Sequence, residues 1–155
     1  MEFETRFLVD AAPESVWEFL WNVERLAVCV PGCEDVEAAD AGRRYRARLG
    51  DRIGPFRVAF VVAIEVTRAD PPHRLTAAVT GEDEHLGSRV RGTLDASLVQ
   101  VATSTELTLR TTVDVLGHVA TLGHSAIRRR VQERFTEMEK RIRAALGPGV
   151  GSPAV

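Results

Sequence analysis

The chain has 155 residues, of which 45% are hydrophobic and 27% are charged, a composition typical of one globular domain rather than of a disordered chain. Twenty Lys and Arg residues against 22 Asp and Glu residues give a formal net charge of −2, which excludes a generally basic nucleic-acid-binding protein. No apolar run approaches the roughly 18 residues that a membrane-spanning helix needs. The N-terminus has no basic start followed by an apolar segment, so we expect no secretory signal and a cytoplasmic protein.

The charges are unevenly distributed along the chain. Residues 1–40 carry ten acidic and two basic side chains, whereas residues 124–146 carry seven basic and three acidic ones. Two interpretations are open. The charges either solvate two surfaces of opposite sign, or the acidic end binds a protein partner while the basic segment binds anionic lipid.

The first forty residues predict a strand followed by two short helices. Residues 2–9 alternate apolar and polar side chains, as in a strand with one buried face. Pro13 suits the first turn of a helix, and the apolar residues after it recur at helical spacing. A second helix, around Glu24 to Val28, is expected to end before Pro31-Gly32, because proline disfavours helix in the residue before it.

Residues 33–115 predict consecutive strands. Most of this stretch alternates apolar and polar residues, and turn signals fall at residues 40–42, 54–55, 70–72, 81–83 and 102–104. Strands that are linked by short turns and have one solvent-exposed face form an antiparallel sheet.

A long helix closes the chain. Its apolar residues fall within a stripe about 100° wide; they are Ile127, Val131, Phe135, Met138, Ile142 and Leu146. Residues 116–122 predict an earlier helical piece interrupted near Gly123, and Gly147-Pro148-Gly149 ends the helix. We therefore predict one α+β domain over residues 1–146, in which about seven strands of a curved antiparallel sheet surround the helix, and a flexible tail over residues 147–155.

A curved sheet and a long helix are not expected to close tightly along their whole length, which suggests an apolar cavity between them. Three small residues on the inward face, Ala77, Gly92 and Ala96, remove volume where a core would need bulk. A solid core is the alternative. The predicted lining residues are Phe56, Phe60, Val62, Leu75, Val79, Leu94, Leu98, Leu107, Leu109, Leu122, Ile127, Val131 and Phe135.

No metal site and no covalent cofactor are predicted. Cys29 and Cys33 flank a turn, but no second pair of ligands completes a zinc site. Two buried thiols are the simpler interpretation, and a disulfide between them stays open.

No catalytic constellation is predicted either. The sequence contains no nucleophile elbow, Rossmann fingerprint or phosphate-binding loop. Thr105 and Thr111 lie on the predicted inward face of their strand, but a threonine hydroxyl does not titrate in a range that serves acid–base catalysis. His118 and His124, near the last helix, are the only residues that suit a general base, although a solvated or capping role is more usual for such histidines.

Three segments of the sequence carry a recognisable pattern. The first is residues 12–37, APESVWEFLWNVERLAVCVPGCEDVE, above all its Pro31-Gly32-Cys33-Glu34; the second is Asp70-Pro71-Pro72 before a strand; the third is residues 114–123, DVLGHVATLG. Together they resemble the carbon monoxide dehydrogenase G-subunit (CoxG) family, a branch of the START-like, Bet v 1-like superfamily, and the match is collinear over about residues 2–146. Trp21-Asn22-Val23 departs from the acidic-then-proline step that is usual in the family.

The resemblance implies a helix-grip fold and a non-catalytic accessory role. Members accompany molybdenum-containing hydroxylases of the carbon monoxide dehydrogenase type and are thought to recruit that enzyme to the membrane or to pass it a lipid quinone. The implied ligand is therefore an isoprenoid quinone or another lipid, and the implied partner is the hydroxylase complex. The family-like topology places a cavity gate at Val30, Pro31, Gly32 and Val119.

The end of the chain departs from the family. Many members carry a C-terminal extension that reaches the membrane, whereas this sequence ends with GPGVGSPAV. Either such an extension has been removed, or the protein meets the inner face of the cell membrane only through its surface. Two other functions stay open: a START-like cyclase or hydratase using His118 or His124, and a ligand-free assembly module whose acidic N-terminal third docks a basic partner.

Overall fold

The computed structural model of the protein describes residues 1–85 and 87–146. Within these residues, a curved seven-stranded antiparallel sheet surrounds a long C-terminal helix, and two short helices follow the first strand. The predicted α+β, helix-grip architecture is therefore confirmed. In chain order the elements are β1 (Glu2–Val9), α1 (Pro13–Trp21), α2 (Val23–Cys29), β2 (Cys33–Asp40), β3 (Arg44–Ile53), β4 (Phe56–Asp70), β5 (Arg74–Asp83), β6 (Arg89–Val101), β7 (Ser104–Leu116), a 3-10 helix (His118–Leu122) and α3 (His124–Leu146).

The strands lie in the order β1-β7-β6-β5-β4-β3-β2, and every neighbouring pair is antiparallel. Strands β2 to β7 are thus consecutive hairpins, and β1 joins the sheet beside β7. Directly opposite residues of antiparallel strands share a face. Phe7 lies opposite Leu107, which lies opposite Leu98, and all three are buried under the helices.

Local signals set the two short helices. Pro13 occupies the first turn of α1, where its missing N–H would have had no helical partner. The side-chain oxygen of Asn22 accepts a 3.2 Å hydrogen bond from the N–H of Arg25 and caps α2. Helix α2 ends at Cys29, before Pro31, as predicted.

The apolar interior is divided into two clusters. The Trp17 cluster consists of Phe7, Val9, Ala11, Val16, Trp17, Phe19, Cys29, Ala96, Leu98, Leu107, Leu109, Ile142 and Leu146. The Val119 cluster consists of Ile53, Val58, Val119 and Ile127. Helix α3 contributes Ile142 and Leu146 to the first and Ile127 to the second, so it packs into a buried cluster near each of its ends.

The turn predicted at residues 81–83 is wrong, because β5 continues through Asp83. Gly81 instead lies between two valine side chains that leave no room for a side chain of its own. A Cβ atom there would lie 2.8 Å from Cγ1 of Val62 and 2.9 Å from Cγ1 of Val90. Asp83 is buried, and its carboxylate accepts a 2.8 Å hydrogen bond from the N–H of Ala59.

The basic helix α3 packs against the acidic N-terminal third of the same chain. Three of its arginines donate hydrogen bonds to backbone carbonyl oxygens there: Arg128 to Glu2 at 3.1 Å, Arg141 to Val28 at 3.3 Å and Arg143 to Leu8 at 3.3 Å. These three arginines therefore bond the backbone of the N-terminal third rather than its acidic side chains.

The segment before α3 is helical, as predicted. Its 3-10 helix is followed by Gly123, whose φ of +90° is in the left-handed region that favours glycine. The predicted tail, residues 147–155, with its Gly147-Pro148-Gly149 stop signal, lies outside the described residues. In the part of the chain that the structure describes, no helix has both the length and the apolar character needed to cross a bilayer.

Candidate ligand-binding cavity

A cavity of about 260 Å³ lies between α3 and the inward face of the sheet. Most of its lining is apolar, and three charged side chains, Asp51, Arg130 and Arg134, complete it. The apolar lining residues are Val30, Pro31, Leu49, Gly50, Ile53, Phe60, Val90, Val113, Val115, Ile127, Val131, Phe135 and Met138.

The cavity explains the burial pattern of the α3 stripe. Ile127 and Ile142 are 3% and 1% exposed, whereas Val131, Phe135 and Met138 between them are only half-buried. These three half-buried residues all line the cavity. The helix therefore packs tightly near its ends and spans a gap in the middle.

Aromatic contacts hold the middle of α3 over this gap. The rings of Phe135 and Phe3 lie 5.7 Å apart, centroid to centroid, at an interplanar angle of 40°. The guanidinium of Arg128 stands 5.1 Å from the centre of the Phe3 ring, a favourable cation–π distance. Strand β1 thereby fixes Phe135 at one wall of the cavity.

The charged lining forms an ion-pair network across the rim. Arg130 bonds Oδ1 of Asp51 through its Nη2 at 2.7 Å and its Nε at 3.2 Å. Nε of Arg134 lies 3.4 Å from Oδ2 of the same carboxylate. The hydrogen bond to Asp51 raises the pKa of the Arg130 guanidinium. The three side chains are 22–33% exposed, so they stand where the cavity meets solvent.

The Val30–Gly32 segment borders the same rim. Val30 and Pro31 line the cavity. Gly32 is exposed and has a φ of +78°, and the N–H of Gly50 in β3 donates a 2.9 Å hydrogen bond to the carbonyl oxygen of Gly32. The segment is thus attached to β3 by its backbone.

The structure places the residues predicted to line a cavity in several environments. Phe60, Ile127, Val131 and Phe135 line the cavity. Leu98, Leu107 and Leu109 belong to the Trp17 cluster, with Leu75 and Leu94 packed against it. Phe56 and Leu122 pack against the Val119 cluster. Val62 is buried beside Gly81, and Val79 is half-buried opposite Gly92.

The four residues predicted as a gate also differ in their placement. Val30 and Pro31 are at the cavity, Gly32 is beside it, and Val119 is fully buried in the cluster that bears its name. The backbone of Val119 is held in place there, since its N–H donates a 3.0 Å hydrogen bond to Oγ of Ser88.

Sequence reasoning missed the β3 wall and the charged rim. A signal was present in β3, because Leu49, Asp51 and Ile53 share the inward phase of the strand. Opposite Leu49 and Ile53 lie Phe60 and Phe56, both of which the alternation of β4 predicts on the inward face. A period-2 pattern extended through the charged residue would have placed Asp51 inside.

The other candidate residues lie apart from the cavity lining. His118 and His124 are exposed. Thr105 is fully buried and donates a 2.7 Å hydrogen bond to the carbonyl oxygen of Ala11. Oγ1 of Thr111 is buried and has no hydrogen-bond partner among the described residues.

Both cysteines are free thiols. Burial is the main cause that raises the pKa of Cys29, and burial followed by the charge of Glu34 raises the pKa of Cys33. Within residues 1–85 and 87–146, no three His, Cys, Asp or Glu side chains are grouped so that they could hold a metal ion.

A second depression, of about 420 Å³, lies among residues of β3 to β6 and Leu116. Its lining includes Arg46, Glu82, Arg89 and Arg91. Charged walls of this kind favour water over an apolar ligand. The cavity under α3 is therefore the better candidate for an apolar ligand.

A curved antiparallel sheet around a long helix, with an apolar cavity between them, is the START-like, helix-grip fold, and solved structures share this fold. A conserved protein from Geobacillus kaustophilus matches with a TM-score of 0.84 at 23% identity, over 94% of each chain. A START superfamily protein from Mycobacterium smegmatis matches with a TM-score of 0.70 at 13% identity, over 94% of this chain and 96% of that one. A protein from Chromobacterium violaceum matches with a TM-score of 0.69 at 16% identity, over 95% and 97% of the two chains.

The family follows from the sequence. The sequence model of CoxG, the family described as the G subunit of carbon monoxide dehydrogenase, matches residues 6–147. The chain belongs to the CoxG family, as the resemblance predicts. No curated protein matches it.

Proposed function

We propose that this protein is a non-catalytic accessory protein that carries a hydrophobic ligand, a lipid quinone or another lipid, for a carbon monoxide dehydrogenase-type molybdenum hydroxylase. It works in the cytoplasm, at the inner face of the cell membrane, either delivering quinone or recruiting the enzyme. Family membership supports the partner, and the START-like fold supports the class of ligand. The observation that carries the proposal is the apolar cavity under α3.

The physical basis of binding is transfer of apolar surface out of water. Each CH₂ group buried against the lining contributes about 0.8 kcal/mol, so an aliphatic ligand needs no catalytic group to bind. The cavity of about 260 Å³ is slightly smaller than the roughly 300–1,000 Å³ typical of sites for drug-sized ligands. We expect it to hold one segment of a long lipid, and the remainder to leave past Val30 and Pro31.

The charges of the rim favour carriage over catalysis. The charged groups that line the cavity, Asp51, Arg130 and Arg134, are paired with one another. A START-like enzyme needs a titrating group free to exchange a proton with its substrate. His118 and His124 are exposed and do not line the cavity, which weakens the cyclase or hydratase interpretation.

The test is extraction of the purified protein with organic solvent, followed by mass spectrometry and by titration of the emptied protein with quinone. Val131→Phe places a ring in the cavity and should abolish binding. Val99→Phe, at a position 55% exposed on β6, is the matched control and should bind normally.

An empty protein that also ignores added quinone would overturn the proposal. Co-purification from the native host distinguishes the remaining alternative: a complex with the hydroxylase that forms equally well with Val131→Phe would indicate an assembly module that needs no ligand.

A further inference from the structure

The ion pairs of the rim join two opposite walls of the cavity. Asp51 belongs to β3, whereas Arg130 and Arg134 belong to α3, and all three line the cavity. Arg130 donates hydrogen bonds of 2.7 and 3.2 Å to Oδ1 of Asp51, and Nε of Arg134 lies 3.4 Å from Oδ2. Because these side chains are 22–33% exposed, the ion pairs cross the place where the cavity meets solvent, here called the mouth.

Every charged group of these ion pairs also has a partner on its own wall. On α3, Arg130 lies 3.5 Å from Glu133, and Arg134 lies 3.0 Å from Glu137. On β3, the backbone N–H of the residue that follows Asp51 donates a 2.7 Å hydrogen bond to the carboxylate. Separation of the two walls therefore leaves no charge without a partner, and an unpaired charge is the main cost of breaking a partly buried ion pair.

The packing beside the ion pairs also permits the walls to separate. Val131, Phe135 and Met138 of α3 are half-buried and line the cavity. Ile142 and Leu146 keep the C-terminal end of the same helix in the Trp17 cluster. Opening the mouth therefore breaks fewer close apolar contacts than opening the Trp17 cluster would, and α3 stays attached to the fold.

We propose that the ion pairs of Asp51 with Arg130 and Arg134, here called the latch, close the mouth of the cavity and set the rate at which ligand enters and leaves. The inference rests on the proposed function, since it concerns the exchange of the ligand that the cavity carries. The latch is formed in the empty protein and in the loaded protein, and it is broken only while ligand passes. It therefore controls the rate of exchange and not the affinity.

The test measures association and dissociation of the neutral fluorescent dye N-phenyl-1-naphthylamine with the full chain, by stopped-flow fluorescence. Asp51→Asn should raise both rate constants about five- to tenfold, because a charged hydrogen-bonded pair no longer has to break, and should change Kd by less than about twofold. Arg130→Gln should act in the same direction. The double variant should be no faster than Asp51→Asn, because both substitutions remove the same contact.

Asp95→Asn is the matched control. Arg74 of β5 donates hydrogen bonds of 3.2 and 2.8 Å to the Asp95 carboxylate of β6, and neither residue lines the cavity. The substitution removes an ion pair of similar geometry from another part of the sheet. It should leave both rate constants of the dye unchanged.

A second measurement needs no ligand. Val131→Cys places a thiol on the cavity wall, and its rate of modification by a maleimide reports how often the mouth opens. Adding Asp51→Asn should raise this rate about five- to tenfold. Cys29, which is 4% exposed in the Trp17 cluster, should be modified no faster, and peptide mass spectrometry assigns each adduct.

Each contrary outcome has a distinct meaning. Unchanged rate constants in Asp51→Asn, or a Kd that shifts because only one of them changes, would overturn the latch and leave the carrier function standing. A rise at Cys29 equal to that at position 131, in Asp51→Asn and Arg130→Gln alike, would also overturn it, since the ion pairs would then stabilise the whole fold. If the wild-type protein binds neither the dye nor quinone, the proposed function fails and the latch fails with it.

Discussion

The backbone of Gly32 lies directly against that of Gly50, whose N–H donates a 2.9 Å hydrogen bond to the carbonyl oxygen of Gly32. Gly32 has a φ of +78°, and a Cβ atom on it would overlap the carbonyl oxygen of Gly50. The loop that borders the cavity thus depends on the absence of a side chain at Gly32.

Gly32→Ala should be costly for this reason. It combines a left-handed backbone with a steric overlap, so we expect a loss of about 2 kcal/mol or more in the free energy of unfolding, measured by urea denaturation. Because Pro31 would be displaced with it, ligand binding should weaken as well. Gly42→Ala is the control, since Gly42 has a φ of +86° with nothing within 4 Å of its Cβ position; it should cost about 1 kcal/mol. Equal losses would show that the approach to Gly50 is unimportant.

Matched leucine truncations should separate the solid core from the cavity wall. Leu98 is 1% exposed in the Trp17 cluster, and Leu98→Ala should lower the free energy of unfolding by about 2–5 kcal/mol. Leu49 lines the cavity and is half-buried. Leu49→Ala removes the same atoms from a surface that already faces space, so about 1 kcal/mol is expected. Chemical denaturation measures both, and a larger loss for Leu49→Ala would mean that the wall is packed.

Two threonines on the inward face of β7 should respond in opposite directions to the same substitution. Thr105→Val removes the donor of the 2.7 Å bond to Ala11 and should destabilise the fold by about 1 kcal/mol. Thr111→Val removes a buried hydroxyl that has no partner among the described residues and should stabilise it by a similar amount. Thermal and urea unfolding of both variants provide the comparison, and a loss of stability in Thr111→Val would indicate a hydrogen bond to water or ligand.

Stability should fall in the alkaline range. Burial raises the pKa values of Cys29 and Cys33 in the folded protein, whereas unfolding returns both thiols to about 8.5. The contribution to stability is therefore complete below the unfolded pKa and is lost as the pH rises through the folded values. Urea denaturation between pH 7 and pH 10 measures this slope. The double variant Cys29→Ala, Cys33→Ala should show a shallower slope, and an unchanged slope would assign it to other groups.

The architecture was predictable because the spacing of apolar residues shows which face of each strand or helix is buried. Residues 2–9 alternate apolar and polar side chains and form β1, and the apolar stripe of α3 through Val131 and Phe135 faces the sheet. The spacing does not show which part of a buried face is covered by another strand or helix. Leu98 and Leu107 face inward as expected, but α1 packs over that end of the sheet and makes it solid.

The ion pairs of the site were not predictable by the same argument. The alternation of Leu49, Asp51 and Ile53 places Asp51 on the inward face, but a charged residue in a strand normally indicates the solvent face, and the pattern does not show what would pair with it inside. Its inward position is stabilised by Arg130, which lies 79 residues further along the chain. Partnerships over such separations are set by the tertiary fold, and no local pattern contains them.

The division of the interior into the Trp17 and Val119 clusters has a consequence for cargo exchange. None of the buried residues of the Trp17 cluster lines the cavity, so the packing of this cluster does not depend on the cavity being occupied, whereas Ile53 and Ile127 of the Val119 cluster form part of the cavity wall. A carrier alternates between loaded and unloaded forms, and both must survive in the cell. For the proposed carrier, Ile142 and Leu146 keep α3 anchored in the Trp17 cluster when the cavity is empty, so the unloaded form keeps this part of its core.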